Sequence, residues 1–324
     1  MGVKLKFMII WDNIPFLEGN FYLTLFLNLL VYLLILVALP LILMGFLALV
    51  KNKPKTNQKS NSLIYMYAFS TGMFLMIGTF GFMREGFETA KRFTHGEYAN
   101  FSSEFIRTLV VVAILGISSL IGFMVVIGGR YLFVKSSKVE LHKAHEEHSH
   151  SDHLISFKDI DNPKAAWLAI LMLLSHRIVD GYFIGYAIFK IIWTRNTFSS
   201  FLMLLITFTI HILFEIAIVY FRQIQYGEKK SKAILYNFLT FLLIIPFVFL
   251  GAFTGRVLSG NLEWIQASIL TMGGSIILFT SVFELIPEFI HIRNKNPKIL
   301  YLTLITFAFS IVLTIMLLSF HSHI

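Results

Sequence analysis

Residues 165–190 read AAWLAILMLLSHRIVDGYFIGYAIFK, an apolar run with ionisable side chains near its centre. About 20 apolar residues in a helix cross the ~30 Å hydrocarbon core of a bilayer. Seven similar runs flank this one, so that the predicted transmembrane helices are 21–50, 63–83, 108–134, 165–190, 199–221, 233–255, 264–290 and 299–320. The pattern predicts an all-α integral membrane protein with eight transmembrane helices, and residues 1–324 form a single transmembrane domain.

The composition agrees with a chain that has the lipid bilayer as its main partner. Charged residues make up 14% of the sequence, against roughly 25% in soluble proteins. The net charge of +9 resides in short basic clusters between the apolar runs, a pattern that membrane topology explains without nucleic acid. Cysteine is absent, so a metal site must use His, Asp, Glu and neutral oxygen ligands.

Lys and Arg in the connecting segments predict the orientation. One side of the membrane carries sixteen of them and the other side nine. Because cytoplasmic loops hold the excess of basic residues, the richer side is cytoplasmic and both termini are outside. Residues 135–163 then form a cytoplasmic loop between spans three and four, and residues 84–107 form an outer loop.

The cytoplasmic loop is rich in histidine, and His145, His148 and His150 lie among acidic residues. Imidazoles and carboxylates on a polar segment can capture divalent cations transiently, which makes these residues candidates for a metal pathway. Their spacing specifies no closed tetrahedral site. A solvated linker without a metal role is the alternative interpretation.

Four ionisable residues lie at bilayer depth in spans four and five. His176 and Asp180 are four residues apart, as are His211 and Glu215, so each pair lies on one face of its helix. A charge at this depth costs roughly 2.5–3.5 kcal/mol, and such residues are therefore usually paired or functional. Two imidazoles and two carboxylates from neighbouring helices suit Zn²⁺ or another first-row divalent ion.

Arg177 gives an alternative that needs no metal. Its guanidinium lies in the same span and can pair with Asp180 or Glu215, while the histidines donate hydrogen bonds. The ionisable residues would then form a structural network of ion pairs.

Span seven carries two further carboxylates, Glu284 and Glu288, near its cytoplasmic end. Their spacing of four places them on one side of the helix, where they can receive an ion that leaves the central cage. A solvated helix terminus is the alternative for this segment. In span six, Pro246 lacks a backbone donor and predicts a kink.

These motifs resemble those of the ZIP (Zrt/Irt-like) family of divalent metal transporters. The family's span-four pattern His-Asn-x-x-(Asp/Glu)-Gly is similar to residues 176–181, and its span-five pattern His-x-x-Pro-Glu is similar to residues 211–215. Residues 283–288 resemble the acidic Leu-Pro-Glu signature of span seven. The resemblance implies a ZIP-like bundle of eight helices with both termini outside, a His-rich loop after span three, a homodimer, and transport rather than enzyme activity.

The same comparison implies the loss of a second metal site. Well-described members hold two ions, the second bound by an Asn in span four, a polar residue in span five and a Glu in span six. Those places are occupied here by Arg177, Ile212 and Ile245. The resemblance therefore implies a single-metal site, with the fixed charge of Arg177 in place of the second ion.

The leading hypothesis is inward transport of a divalent transition metal across the cell membrane. The ion would pass from the cage to the span-seven carboxylates and the His-rich loop, with zinc favoured over iron, manganese, cobalt and cadmium. An intramembrane metal-dependent hydrolase is one rival, although the sequence has no His-Glu-x-x-His signature. A metal sensor that does not transport, or a purely structural membrane protein, is the other.

Overall fold

The structure is a computed structural model of the whole chain. The residues that it describes are 20–49, 61–96, 101, 103–136, 163–194, 200–225, 228–258, 260–286 and 296–319.

Helices account for nearly all of these residues, and the described part of the chain contains no β-strand. The α-helices are α1 (Phe21–Leu49), α2 (Asn61–Met76), α3 (Arg84–His95), α4 (Glu104–Ser136), α5 (Pro163–Thr194), α6 (Ser200–Gln225), α7 (Lys230–Leu242), α8 (Ile244–Val257), α9 (Glu263–Thr280) and α10 (Pro297–Ser319). A π-helical segment, Ile77–Met83, joins α2 to α3, and a second one, Ser281–Leu285, extends α9.

Six stretches are long and apolar enough to cross a membrane, judged by length and composition among the described residues. They are Phe21–Leu49, Ile64–His95, Glu104–Gly129, Lys230–Val257, Glu263–Phe283 and Pro297–Ser319, and Leu205–Phe221 is a shorter apolar helix. The all-helical, multi-span architecture is therefore confirmed. The count of eight spans and the outer position of both termini stay predictions.

The outer loop expected at residues 84–107 is wrong in its first half, because helix α3 continues the second span as far as His95. Gly86 lies close enough to α9 that an added Cβ would be 2.5 Å from the Thr271 hydroxyl oxygen. Ala90 is fully buried against Val111 of α4 and Ala267 of α9. In the sequence, charged residues lie between the residues of this contact face. They make the segment look like a loop by composition.

The sixth span is interrupted between α7 and α8, at Leu243. Pro246 is the third residue of α8 and has no N–H to donate to the carbonyl group of Leu242, the last residue of α7. The helix is thus interrupted within a few residues of the proline from which a kink was expected.

The helices pack in two groups. In the first group, α5 runs along α8, and α1 contacts α5, α6, α7 and α8. In the second group, α4 runs along α9, α2 along α10, and α3 along both α4 and α9. Helices α5 and α8 can approach closely because Gly185 of α5 has no side chain. An added Cβ there would overlap the carbonyl group of Val248 in α8.

Aromatic side chains fill the boundary between the two groups. Phe82, in the first π-helical segment, lies with its ring centroid 4.1 Å from that of Phe183 in α5 and 5.2 Å from that of Phe208 in α6. Phe69 of α2 approaches Phe214 of α6 at 4.5 Å. The inner faces of α5 and α6 therefore lie in a dry, apolar setting, in which any charge must be compensated locally.

Candidate metal centre

The centre lies where α5 and α6 face each other, near the middle of both helices. Asp180 on α5 and His211 and Glu215 on α6 are all buried, and none is more than 1% exposed. The interval of four residues places His211 and Glu215 one turn apart on the same face of α6. Burial of two carboxylates and an imidazole at one point is costly unless they are paired or coordinate a cation.

These three side chains are close enough to share one metal ion. Each offers a ligand atom, and the three atoms lie within 4.8 Å of one another. Nε2 of His211 and Oδ2 of Asp180 are 3.4 Å apart. Ligands at 2.0–2.2 Å from a tetrahedral Zn²⁺ are separated by about 3.4 Å, so this pair has the required spacing.

His176 is the fourth ligand expected from the sequence. Its backbone belongs to α5, one turn before Asp180, but its side chain lies outside the part of the chain that the structure describes. The same holds for the side chain of Glu284, whose backbone lies in the second π-helical segment. The remaining pathway candidates lie outside the described residues altogether, namely Glu288, His145, His148 and His150.

Arg177 connects the centre to a third helix. Its Nε–H donates to Oε1 of Glu215 over 2.7 Å, in an ion pair whose two side chains are buried. Its Nη1 donates to Oγ1 of Thr240, on α7, also over 2.7 Å. The ion pair of the metal-free alternative is thus present, and it occupies one oxygen of a candidate metal ligand.

Thr240 was not singled out from the sequence. Its hydroxyl group also donates to the backbone carbonyl of Tyr236, the usual arrangement for Thr in an apolar helix. Asn237, one turn away, donates from Nδ2 to the carbonyl of Ile216 on α6, at 3.4 Å. Asn237 and Thr240 lie three residues apart in an apolar span. This spacing could have predicted a polar helix face toward α6 from the sequence.

An aromatic wall closes one side of the centre. The ring of Phe74, on α2, meets the His211 imidazole edge-on with centroids 4.0 Å apart, and Phe208 lies 6.3 Å from the same imidazole. Such a wall excludes water and strengthens every charge interaction inside. Phe74 belongs to the second helix group, so the centre lies at the boundary where the two groups meet.

The donor set is that of a first-row divalent cation. An imidazole nitrogen and carboxylate oxygens suit zinc, iron, manganese and cobalt, and the chain offers no thiolate.

A search of curated proteins finds no match to this chain. A family model described as ZIP zinc transporter matches residues 133–317, which is more than half of the chain and includes all the residues of the centre. The chain therefore belongs to the ZIP zinc transporter family, whose members carry out transmembrane metal ion transport.

Proposed function

We propose that this protein transports a divalent transition metal, zinc first, from the outer face into the cytoplasm through a single-metal site. The ligands are His176, Asp180, His211 and Glu215. The observation that carries the proposal is the buried group of Asp180, His211 and Glu215, whose ligand atoms lie within 4.8 Å of one another. Family membership supports movement of the ion rather than catalysis.

A cation gives these residues an electrostatic reason to be buried together. Each uncompensated charge at bilayer depth costs roughly 2.5–3.5 kcal/mol. Arg177 compensates one carboxylate through its ion pair with Glu215, and a divalent ion compensates Asp180 and binds the neutral imidazoles. His176 completes a tetrahedral set because it precedes Asp180 by one helical turn.

Arg177 favours the binding of one metal ion over the binding of two. Its guanidinium donates to Glu215, a carboxylate that a second ion would have to share. Permanent positive charge at this point repels a second cation, and the guanidinium takes over the charge balance that the second ion would provide. Ile212 and Ile245 supply no ligand where the family resemblance leads one to expect polar groups.

The route inward continues along span seven. Glu284 lies in the π-helical segment at the end of α9, and π-helical turns are frequent at functional sites. Glu288 and the histidines His145, His148 and His150 would take the ion onward on the cytoplasmic side. The proposed setting is the cell membrane, with both termini outside, and a homodimer is the assembly that the family resemblance suggests.

The test is zinc uptake by proteoliposomes that contain a zinc-sensitive dye. We expect wild-type protein to give influx and to bind one zinc ion per chain, while His176→Ala and His211→Ala lower zinc affinity by at least about tenfold. Thr254→Val is the matched control, because Thr254 of α8 hydrogen-bonds the Tyr182 hydroxyl outside the centre and should leave uptake unchanged.

Three results would contradict this proposal in different ways. Zinc binding without flux would support the sensor alternative. Neither binding nor flux would support a structural role. Two bound ions in the wild type, or unchanged uptake in Arg177→Ala, would refute the replacement of a second ion by Arg177.

A further inference from the structure

Two nitrogen atoms of the Arg177 guanidinium form hydrogen bonds with helices of a single group. Nε donates to Glu215 on α6 and Nη1 to Thr240 on α7, and Arg177 itself is on α5. These three helices belong to the first group, so the guanidinium stays with the centre whenever that group moves. The side chain is 1% exposed and is therefore a fixed internal charge rather than a surface one.

The net charge of the centre depends strongly on this residue. The formal charges of Asp180, Glu215 and Arg177 sum to one net negative charge, and a divalent ion bound among them makes the sum one net positive charge. Without Arg177 the empty centre would carry two negative charges and the loaded centre none. With Arg177 present, the empty and the loaded centre therefore carry net charges of the same size and opposite sign.

We propose that Arg177 is a built-in counter-cation that allows the empty centre to return across the membrane after the metal has left. The inference rests on the proposed transport function and concerns one half of its cycle. When metal is absent, the guanidinium neutralises Glu215 through the 2.7 Å ion pair. When a metal ion binds the centre, the hydrogen bond to the Thr240 hydroxyl group helps to keep the guanidinium in the site.

Transport with and without return of the empty centre can be measured separately. Net uptake into empty vesicles requires the empty centre to reorient, whereas exchange of external radioactive zinc for internal zinc requires only the loaded centre to do so. Both are measured on the same proteoliposomes, and the ratio of net uptake to exchange is the readout. A general loss of folded protein lowers both rates and leaves this ratio unchanged.

We expect Arg177→Gln to keep zinc exchange and to lower the ratio by about tenfold or more, since the guanidinium that compensates Glu215 is then absent from the empty centre. Its apparent zinc affinity should rise, because the ion no longer competes with a guanidinium for Glu215. Arg177→Lys keeps the charge and should keep most of the wild-type ratio. Thr240→Val removes only the anchor and should lower the ratio less than Arg177→Gln does, while Thr254→Val serves as the control on the same span.

The outcomes separate this inference from the proposed function. Wild-type vesicles with neither net uptake nor exchange would refute the proposed function itself. Wild-type transport together with a wild-type ratio in Arg177→Gln would overturn the counter-cation role and leave the transport function standing. If Arg177→Gln does not fold, the neutral variant Arg177→Met is measured in its place, where a wild-type ratio overturns the role and a lowered ratio supports it.

Discussion

The carboxylate of Glu215 faces two positive charges, the guanidinium of Arg177 and the proposed metal ion. Breaking a buried ion pair by removing one partner leaves the other charge uncompensated, which costs about 3–5 kcal/mol. Arg177 is in this position, since it is buried and its Nε is 2.7 Å from Glu215. The ion pair therefore contributes to the stability of the metal-free protein as well as to the balance of charge at the centre.

We predict that Glu215→Gln lowers the thermal midpoint of the metal-free protein in detergent more than Asp180→Asn does. The reason is that only the first substitution strands the charge of Arg177. The double variant Arg177→Met/Glu215→Gln should recover most of the lost stability, because the charge is removed with its partner. Equal losses for Glu215→Gln and the double variant would show that the ion pair contributes nothing.

Metal binding separates these variants further. Zinc should raise the midpoint of the wild-type protein, since a ligand that binds only the folded state stabilises it. It should raise the midpoint of Glu215→Gln much less, because one ligand is gone. Measuring the midpoint in a chelator and then in excess zinc distinguishes a loss of ligand from a loss of folding.

At the scale of helices, close packing on α8 fixes the position of α5, the helix that carries Asp180. Gly185 has no room for a Cβ against the Val248 carbonyl, and Gly251 has none against the Tyr182 carbonyl. These contacts join the two helices on the side of α5 that continues from Asp180. A change in their spacing would therefore move the ligands of α5 relative to those of α6.

We predict that Gly185→Ala lowers stability by about 1–3 kcal/mol, because overpacking forces the helices apart. Gly116→Ala on α4 is the matched control, since an added Cβ there meets nothing within 4 Å. That substitution should be neutral or stabilise the helix slightly, as Ala is the better helix former. Similar midpoints for the two variants, measured by thermal unfolding in detergent, would contradict the close contact of α5 with α8.

The helices could be predicted from the sequence more reliably than the connections. Each apolar run has the length of a bilayer crossing, and the helix bounds lie within a few residues of the predicted ones for α1, α5 and α10. The segment that forms α3 was missed because hydropathy measures lipid contact, whereas Gly86 and Ala90 are buried against other helices.

The sequence predicts that Asp180, His211 and Glu215 lie close together, but it does not predict what surrounds them. The interval of four residues in spans four and five indicates a shared face, and Asp180, His211 and Glu215 are in fact brought together. Thr240 was missed because a hydroxyl group in an apolar helix usually bonds its own backbone, as this one also does. Its second partner, Arg177, lies 63 residues away, and this contact depends on where the tertiary fold places α7 relative to α5.

For the whole molecule, the centre lies at a boundary between two groups of helices. Phe74 of the second group touches His211 of the first, and Phe82 lies between Phe183 and Phe208. The boundary also contains a close glycine contact, because an added Cβ on Gly273 of α9 would be 2.7 Å from a methyl carbon of Val179 on α5. In the proposed transport, the step that moves the ion would be motion of one group against the other, with a change of packing at this boundary.

The direction of that movement depends on topology, which the absence of cysteine makes easy to measure. A cysteine introduced by Asn100→Cys should react with a membrane-impermeant maleimide in intact cells, because the segment after α3 is predicted to be outside. Ser149→Cys, in the His-rich loop, should react only after permeabilisation. The physical reason is the basic excess of sixteen residues against nine, which predicts a cytoplasmic position for that loop. Labelling of Ser149→Cys from outside intact cells would invert the topology and make the proposed inward transport an outward one.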